Sequence, residues 1–400
     1  MQTKRSAAMA VAAMVALAVP ALPARAGAEA HVPGEALVVK LAGGEAALPG
    51  VADAVDADVD SAVAPRTYVL EVDAGEGSDA LRRLRSDRRV AWVEREVRYR
   101  ASVAPDDPCY AGCGNPSVRQ WNLTRVRAGE AWDVTRGRAD VLVAVLDTGV
   151  DAGHPDLAGK VTQGGVYSVS PTANDLDGHG THVAGIIAAA TNNSRGVAGM
   201  GWDTKVLSIK VLDDEGWGSS SGIAKGIHEA VRAGADVINL SLGGDYSNLV
   251  AEAVASARSA GALVVAAAGN DGSEVKQYPA ALDGVLAVAA SDADDKLASF
   301  SNRGAAWVDI AAPGTSIVST VPGGYALMSG TSMASPMVAG AAALTFASSP
   351  GITADQVAAR LTASSAPISG TGTLVQHGRL DAAGAVVRPT PPPPAPAPAP

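Results

Sequence analysis

From about residue 140 to residue 363 the chain alternates short apolar runs with longer helical ones, and this alternation narrows its possible folds more than any other feature. Residues 141–146, 205–211, 237–242, 262–268 and 285–290 are mostly apolar runs of strand length. Residues 181–190, 221–233, 249–260, 333–347 and 354–363 have helical length and spacing. Strands that lack polar alternation are covered on both faces. The pattern therefore predicts an α/β fold: a mostly parallel twisted sheet with helices on both faces. Such sheets bind ligands beyond the carboxyl ends of their strands.

The flanks differ. Lys4 and Arg5, the apolar residues 7–19 and the small-x-small site Ala24-Arg25-Ala26 read as a secretory signal over residues 1–26, too short to span a bilayer comfortably. Export, with no membrane attachment after cleavage, is the expectation. Residues 27–104 read as a small α+β domain, with strands at 35–41, 67–72 and 90–97 and a helix at 79–88. A hydrophilic stretch, 99–108, reads as an exposed linker. The main body spans 105–387, and 388–400 form a Pro/Ala tail suited to an extended spacer, for example across a cell wall. Aromatic residues are 4% of a chain that is 47% hydrophobic, so the core must be built from Ala, Val, Leu and Ile. The formal net charge of -10 argues against nucleic acid as a partner and is compatible with bound cations. Cys109 and Cys113 are close enough to close a small loop in an oxidising compartment.

Four residues carry the chemistry. Ser332 stands between Gly330-Thr331 and an Ala-rich helical run, near a helix start where free N–H groups favour a developing oxyanion. Pro336 is expected in the first turn, where a missing N–H costs little. Asp147 ends the strand 141–146. His179, in Asp177-Gly178-His179-Gly180-Thr181-His182, precedes a helical run. Asn270 lies just beyond the strand 262–268 and offers a side-chain N–H donor. Each alone is most simply a turn or cap residue; together they supply nucleophile, base, orienting acid and oxyanion donor. The single Asp-Thr-Gly does not suit an aspartic protease, which needs two such loops on an all-β body. Ala334 and the Asp-His-Ser order exclude a Gly-x-Ser-x-Gly hydrolase.

In that order, the stretches Val145-Leu146-Asp147-Thr148-Gly149, Asp177-Gly178-His179-Gly180-Thr181-His182-Val183-Ala184-Gly185, Ala267-Ala268-Gly269-Asn270 and Gly330-Thr331-Ser332-Met333-Ala334-Ser335-Pro336 resemble the subtilisin-like serine proteases, most closely their thermitase branch. The resemblance covers about residues 105–387. It implies a serine endopeptidase that acts on polypeptides through a Ser332 acyl-enzyme. His179 would be the base and Asp147 its partner, and the Asn270 side chain and Ser332 N–H would form the oxyanion hole. It also implies a monomer, made as a zymogen whose segment 27–104 inhibits it until cleavage within 99–108. Ser241, Leu242 and Gly243 resemble the edge strand that pairs with substrate, and Gln277 a residue lining its pocket. A structural Ca2+ would be held by Asp107, Asp156, Asn193, Arg195 and Val197, with Asp175 and Asp177 left open as a second site. Met337 departs from the family's usual histidine. The alternative is a catalytically silent surface or binding protein that keeps the fold.

Overall fold

A computed structural model describes residues 35–96, 104–115 and 118–386. The expected signal, the part 99–103 of the expected cleavage region 99–108 and the Pro/Ala tail lie outside the described residues. By their contacts the described residues divide into two units, 35–96 and 104–386.

In the small unit β1 (Glu35–Leu41), α1 (Leu48–Asp53), β2 (Asp58–Ala64), β3 (Thr67–Val72), α2 (Gly77–Ser86) and β4 (Val90–Arg95) follow in order. The strands form an antiparallel sheet in the order β2-β3-β1-β4. Leu37, Val39 and Leu70 from the sheet and Leu84 from α2 make its core. Strand β2 gives no sequence signal, because it is exposed along its whole length and has no apolar face to display.

The large unit opens with three short helices, α3 (Pro108–Ala111), α4 (Trp121–Arg125) and α5 (Ala128–Trp132). The end of the expected exposed linker is therefore corrected: Pro105 and Asp107 are buried, and Pro108 starts α3. Then come β5 (Leu142–Asp147), β6 (Val161–Val166), α6 (His179–Ala188), β7 (Lys205–Lys210), α7 (Ser220–Arg232), β8 (Val237–Leu240), α8 (Asn248–Ser259), β9 (Leu263–Ala267), β10 (Leu286–Ser291), β11 (Ile310–Pro313), β12 (Ile317–Val321), β13 (Gly324–Met328), α9 (Thr331–Ser348), α10 (Ala354–Ala363) and α11 (Ala382–Ala385).

Seven strands form one sheet in the order β11-β10-β9-β8-β5-β7-β6, and every pairing in it is parallel. Successive side chains of β5 enter opposite layers: Val143 and Val145 pack towards α6 and α9, and Ala144 and Leu146 towards α7 and α8. The alternation of strand and helix in the sequence has this two-layered cover as its cause. After β5 the chain builds β6 and β7 on one side, then β8 to β11 on the other, so the strand order reverses between β5 and β8. Crevices in open α/β sheets form at such a switch point.

Helix α9 is buried almost all round, which only small side chains permit; Ala334, Ala339, Gly340 and Ala343 are fully covered. The β12–β13 hairpin was not anticipated, because its outer residues Tyr325 and Leu327 are exposed and blur the apolar pattern. Among the described residues no helix is long and apolar enough to cross a membrane.

Candidate active site

Asp147 is the last residue of β5, Asn270 lies beyond the carboxyl end of β9 and Ser332 stands at the start of α9, all on the side of the sheet where the switch point opens its crevice. His179 is the first residue of α6. Gly178, at φ +105°, turns the chain into that helix in a conformation that favours glycine. Gly180 lets the helix approach β5: a Cβ there would meet the Gly149 carbonyl oxygen and lie 3.1 Å from the Asp147 Cβ. The imidazole is thus brought to the carboxylate, with His179 Nδ1–H donating to Asp147 Oδ1 at 2.7 Å.

Thr148 N–H donates to the same Asp147 oxygen at 2.7 Å. The Thr148 hydroxyl donates to Asp175 Oδ1 at 2.8 Å and accepts from Gly180 N–H at 2.9 Å. Buried Lys210 holds the loop from below, its Nζ donating to the Thr148 carbonyl and, at 2.7 Å, to Asp214 Oδ1. Asp175 and Lys210 were not recognised as supports for the site, since each touches it only through Thr148 or a neighbouring amide. Asp175 accepts from Gly178 N–H and from both the N–H and the hydroxyl of Thr181. With every lone-pair direction serving this loop, it is a cap for α6 rather than a ligand for a second ion.

His179 keeps 26% of its side chain exposed. Burial opposes protonation of its ring. The Asp147 carboxylate, by charge and hydrogen bond, outweighs this, with added pull from Asp177 and Asp175, and the pKa is raised from 6.5 to about 9. Were this ring to act as a general base it would have to be deprotonated, so kcat/KM is expected to climb from pH 7, reach half its plateau near pH 9 and level off about a unit above, a limb readable in a pH–rate profile of the free enzyme. A limb centred near 6.5 would contradict it. His182 is a different case. Its Nε2–H donates to the carbonyls of Ile317 (3.0 Å) and Ala326 (3.1 Å), and burial pushes its pKa down to about 4. It ties α6 to the hairpin.

Ser332 is the second residue of α9, so its N–H has no intrahelical acceptor. Pro336 lies in the second turn of that helix, not the first as expected. Lacking an N–H, it leaves the Ser332 carbonyl without its i+4 donor. The Ser241 hydroxyl takes that place, donating to Ser332 O at 2.9 Å. Ser241 is oriented by Asn239 Nδ2–H (3.0 Å), and Asn239 accepts from the Ser335 hydroxyl (2.7 Å). Asn239 and Ser335 are further site supports that the sequence did not flag, because both lie inside elements that read as core. The Ser332 hydroxyl itself donates to the Ser241 carbonyl at 3.2 Å rather than to His179.

Asn270 presents its amide nitrogen by a simple constraint. Thr331 N–H, which can only donate, points at Asn270 Oδ1 from 2.9 Å, so the Nδ2 end must face the other way. A Cβ built on Gly330 would lie 3.6 Å from both Asn270 Nδ2 and Ser332 N, which places the two donors around one space.

A cavity of about 680 Å³ joins these groups. His179, Asn270 and Ser332 line it, as do Ser241, Leu242, Gly243 and Gln277. Leu242 and Gly243 follow the end of β8, an interior strand. The segment is therefore not an edge of the main sheet but an extension past its carboxyl end, pinned by the Gly244–Tyr278 bridge. The Gln277 amide donates to Asp271 Oδ2.

Away from the cavity, Asp107 and Asp156 are buried at 1% and 0% exposure. Asp107 accepts from Asn192 N–H at 2.7 Å; Asp156 accepts from Asn193 Nδ2–H at 2.8 Å and Val197 N–H at 2.9 Å. Burial raises both carboxyl groups above the ordinary range, and Asp156 adds to the rise at Asp107. Among the described residues neither forms an ion pair. Two buried carboxylates in a loop rich in amide oxygens suit a hard divalent cation. The Asn193 side-chain oxygen accepts from Arg195 N–H at 3.0 Å, and Val197 gives its N–H to Asp156. Among the described residues no group of three or more acidic, His or Cys side chains forms a metal cluster. Cys109 and Cys113 are disulfide-bonded beside this loop.

The family model described as the subtilase family matches residues 138–385. A thermophilic serine proteinase of Bacillus sp. (strain AK1) is 44% identical over 321 residues, 80% of this chain and 77% of the relative. Thermitase of Thermoactinomyces vulgaris is 44% identical over 285 residues, 70% of this chain and 99% of thermitase. Among solved structures, a protease from Pseudoalteromonas arctica PAMC 21717 aligns with a TM-score of 0.64 and 33% identity, covering 71% of this chain and 99% of that one.

Proposed function

The chain belongs to the subtilase family and is a serine endopeptidase, and on that premise we propose that Asp147, His179 and Ser332 form its triad. The observation that carries the assignment is the 2.7 Å contact of His179 with Asp147 at the wall of the one cavity that Ser332 and Asn270 also line.

Catalysis begins with rotation of the Ser332 side chain from the Ser241 carbonyl towards His179. Its oxygen attacks the scissile carbonyl carbon while the proton passes to His179 Nε2. Asp147 keeps Nδ1 protonated, so that Nε2 is the free acceptor, and stabilises the imidazolium. The carbonyl oxygen, now negative, lies between Asn270 Nδ2–H and Ser332 N–H. As the C–N bond breaks, His179 returns the proton to the leaving amine, and the acyl group remains on Ser332. Water repeats the sequence: it gives a proton to His179 and its oxygen to the acyl carbon, releasing the acid and the free serine.

Removing one oxyanion donor should be costly. Asn270→Ala is expected to lower kcat by about 10²–10³-fold with little change in KM, the range established for the corresponding donor in a subtilisin. Steady-state kinetics on one peptide substrate decides it, and a loss below threefold would remove Asn270 from the oxyanion hole.

We further propose that the enzyme is secreted as a monomeric zymogen. Residues 1–26 direct export, 27–104 inhibit until cut, and 388–400 attach the enzyme to a cell wall or space it from one. Asp107 and Asp156, with oxygens of residues 192–197, would hold Ca2+, which neutralises the buried carboxylates and fastens the loop. At a hundredfold excess over Kd, Ca2+ adds about 2.7 kcal/mol, or about 4–5 °C in Tm for a unit of this size. Thermal melts with Ca2+ and with chelator measure the gain. Asp156→Asn should abolish it, and an unchanged gain would place the ion elsewhere.

Casein digestion by the purified chain, blocked by a serine-directed inhibitor, tests the peptidase assignment. A chain that folds but digests nothing would favour the silent alternative.

A further inference from the structure

The cavity that holds Ser332 and His179 is also lined by three carboxylates, Asp177, Asp245 and Asp271, and by no lysine or arginine. Each is carried by a different loop of the site. Asp177 lies two residues before His179, Asp271 directly follows Asn270, and Asp245 follows the segment 241–244. All three residues are exposed, and none forms an ion pair with another described residue. The nearest cation in sequence, Lys276, does not line the cavity. Asp177 accepts from His179 N–H at 3.0 Å and Asp271 from the Gln277 amide, so the partners of both are neutral, whereas Asp214 is paired with Lys210.

A second feature is independent of charge. Trp217 lines the same cavity with 77% of its surface exposed, large for an indole with no covering partner. Its position is held by a tight turn, in which Trp217 N–H donates to Asp213 Oδ1 at 2.8 Å and Asp213 N–H to the Trp217 carbonyl at 2.8 Å. An open indole face beside carboxylates matches the two needs of an arginine or lysine side chain: a flat apolar surface for its stem or guanidinium plane, and an anion for its charge.

We propose that this endopeptidase selects cationic polypeptide segments, with Asp177, Asp245 and Asp271 as specificity-determining residues and Trp217 as the stacking surface. The inference rests on the peptidase reading, which by itself fixes the ligand as a polypeptide; the carboxylates and indole add which polypeptide. The chain's net charge of -10 works in the same sense by steering basic substrates towards the site.

Internally quenched peptides that differ at one position, Arg, Gln or Glu, scanned across the scissile bond, provide the test. At one or more positions Arg should exceed Gln by about tenfold in kcat/KM at low salt, and Gln should exceed Glu. The Arg advantage should shrink several-fold at 0.5 M salt. In the Asp177→Asn/Asp245→Asn/Asp271→Asn variant the Arg-to-Gln ratio should collapse towards one, and Trp217→Leu should lower it partway. Wild-type rates that are equal for Arg, Gln and Glu at every position overturn the proposal without any variant, as does a ratio that survives the triple substitution. Hydrolysis of the Gln peptide with no Arg preference leaves the peptidase reading standing; no hydrolysis of any peptide removes both.

Discussion

Substitution of Ser332 by alanine is expected to lower kcat by about 10⁶-fold, the magnitude already established for the same nucleophile in a subtilisin. The structure indicates why so small a change should act on chemistry rather than folding. The Ser332 hydroxyl makes one hydrogen bond, to the Ser241 carbonyl at 3.2 Å, and its loss costs only about 0.5–1.5 kcal/mol. The helix start stays supported, because the contact that replaces the bond lost to Pro336 runs from the Ser241 hydroxyl to the Ser332 carbonyl, which alanine retains. The oxyanion donors also survive, as the main-chain N–H and Asn270 are untouched. What disappears is the atom that must carry the acyl group. The variant should therefore melt within a few degrees of the wild type, show no acyl-enzyme burst and keep residues 27–104 attached. A processed, active Ser332→Ala protein would contradict the mechanism.

Asp147→Asn should be nearly as damaging, with a fall of about 10⁴-fold in kcat near neutral pH, as known for the same change in another Ser-His-Asp peptidase. Asp147 is fully buried, and one of its oxygens receives both Thr148 N–H and His179 Nδ1–H. An asparagine can satisfy both donors with its oxygen only by placing its NH2 group in the buried space behind. Turned the other way, its NH2 donates to His179, Nδ1 becomes the acceptor, and the proton moves to Nε2, where Ser332 needs a vacant lone pair. The second consequence separates this account from a purely structural defect. The charge that raises His179 to about 9 would be gone, so the surviving activity should show its acidic limb at lower pH than the wild type. A variant with weak activity and an unshifted limb would mean that Asp147 does not set the His179 charge state.

Much of this arrangement was legible in the sequence, for reasons specific to each part. Parallel strands buried on both faces are continuous apolar runs, so β5, β7, β8, β9 and β10 announced themselves, and a residue just past such a run, as Asn270 is three residues beyond the end of β9, stands at the crevice. Strands without that burden were invisible: β2 is exposed throughout, β6 carries Gln163 and two glycines, and β11 is only four residues long. The four chemical residues were legible because turn and cap types recur together at strand and helix ends. Their supports were not. Asn239 and Ser335 are polar residues inside apolar runs, and nothing in a linear pattern shows that they meet behind Ser241. Pro336 was assigned to the wrong turn, because the helix starts two residues earlier than its apolar run. The aspartates at 106 and 107 made a half-buried stretch look like an exposed linker, since their partners lie more than 80 residues away in the loop 192–197.

The most direct test of the account is covalent labelling with a phosphonofluoridate, which needs an activated serine, a working base and an oxyanion hole at once. Intact mass and peptide mapping should find one adduct per chain, on Ser332, formed in step with the loss of peptidase activity and slowed in Asp147→Asn. An adduct on any other residue, or full modification of Ser332 with activity retained, would contradict it.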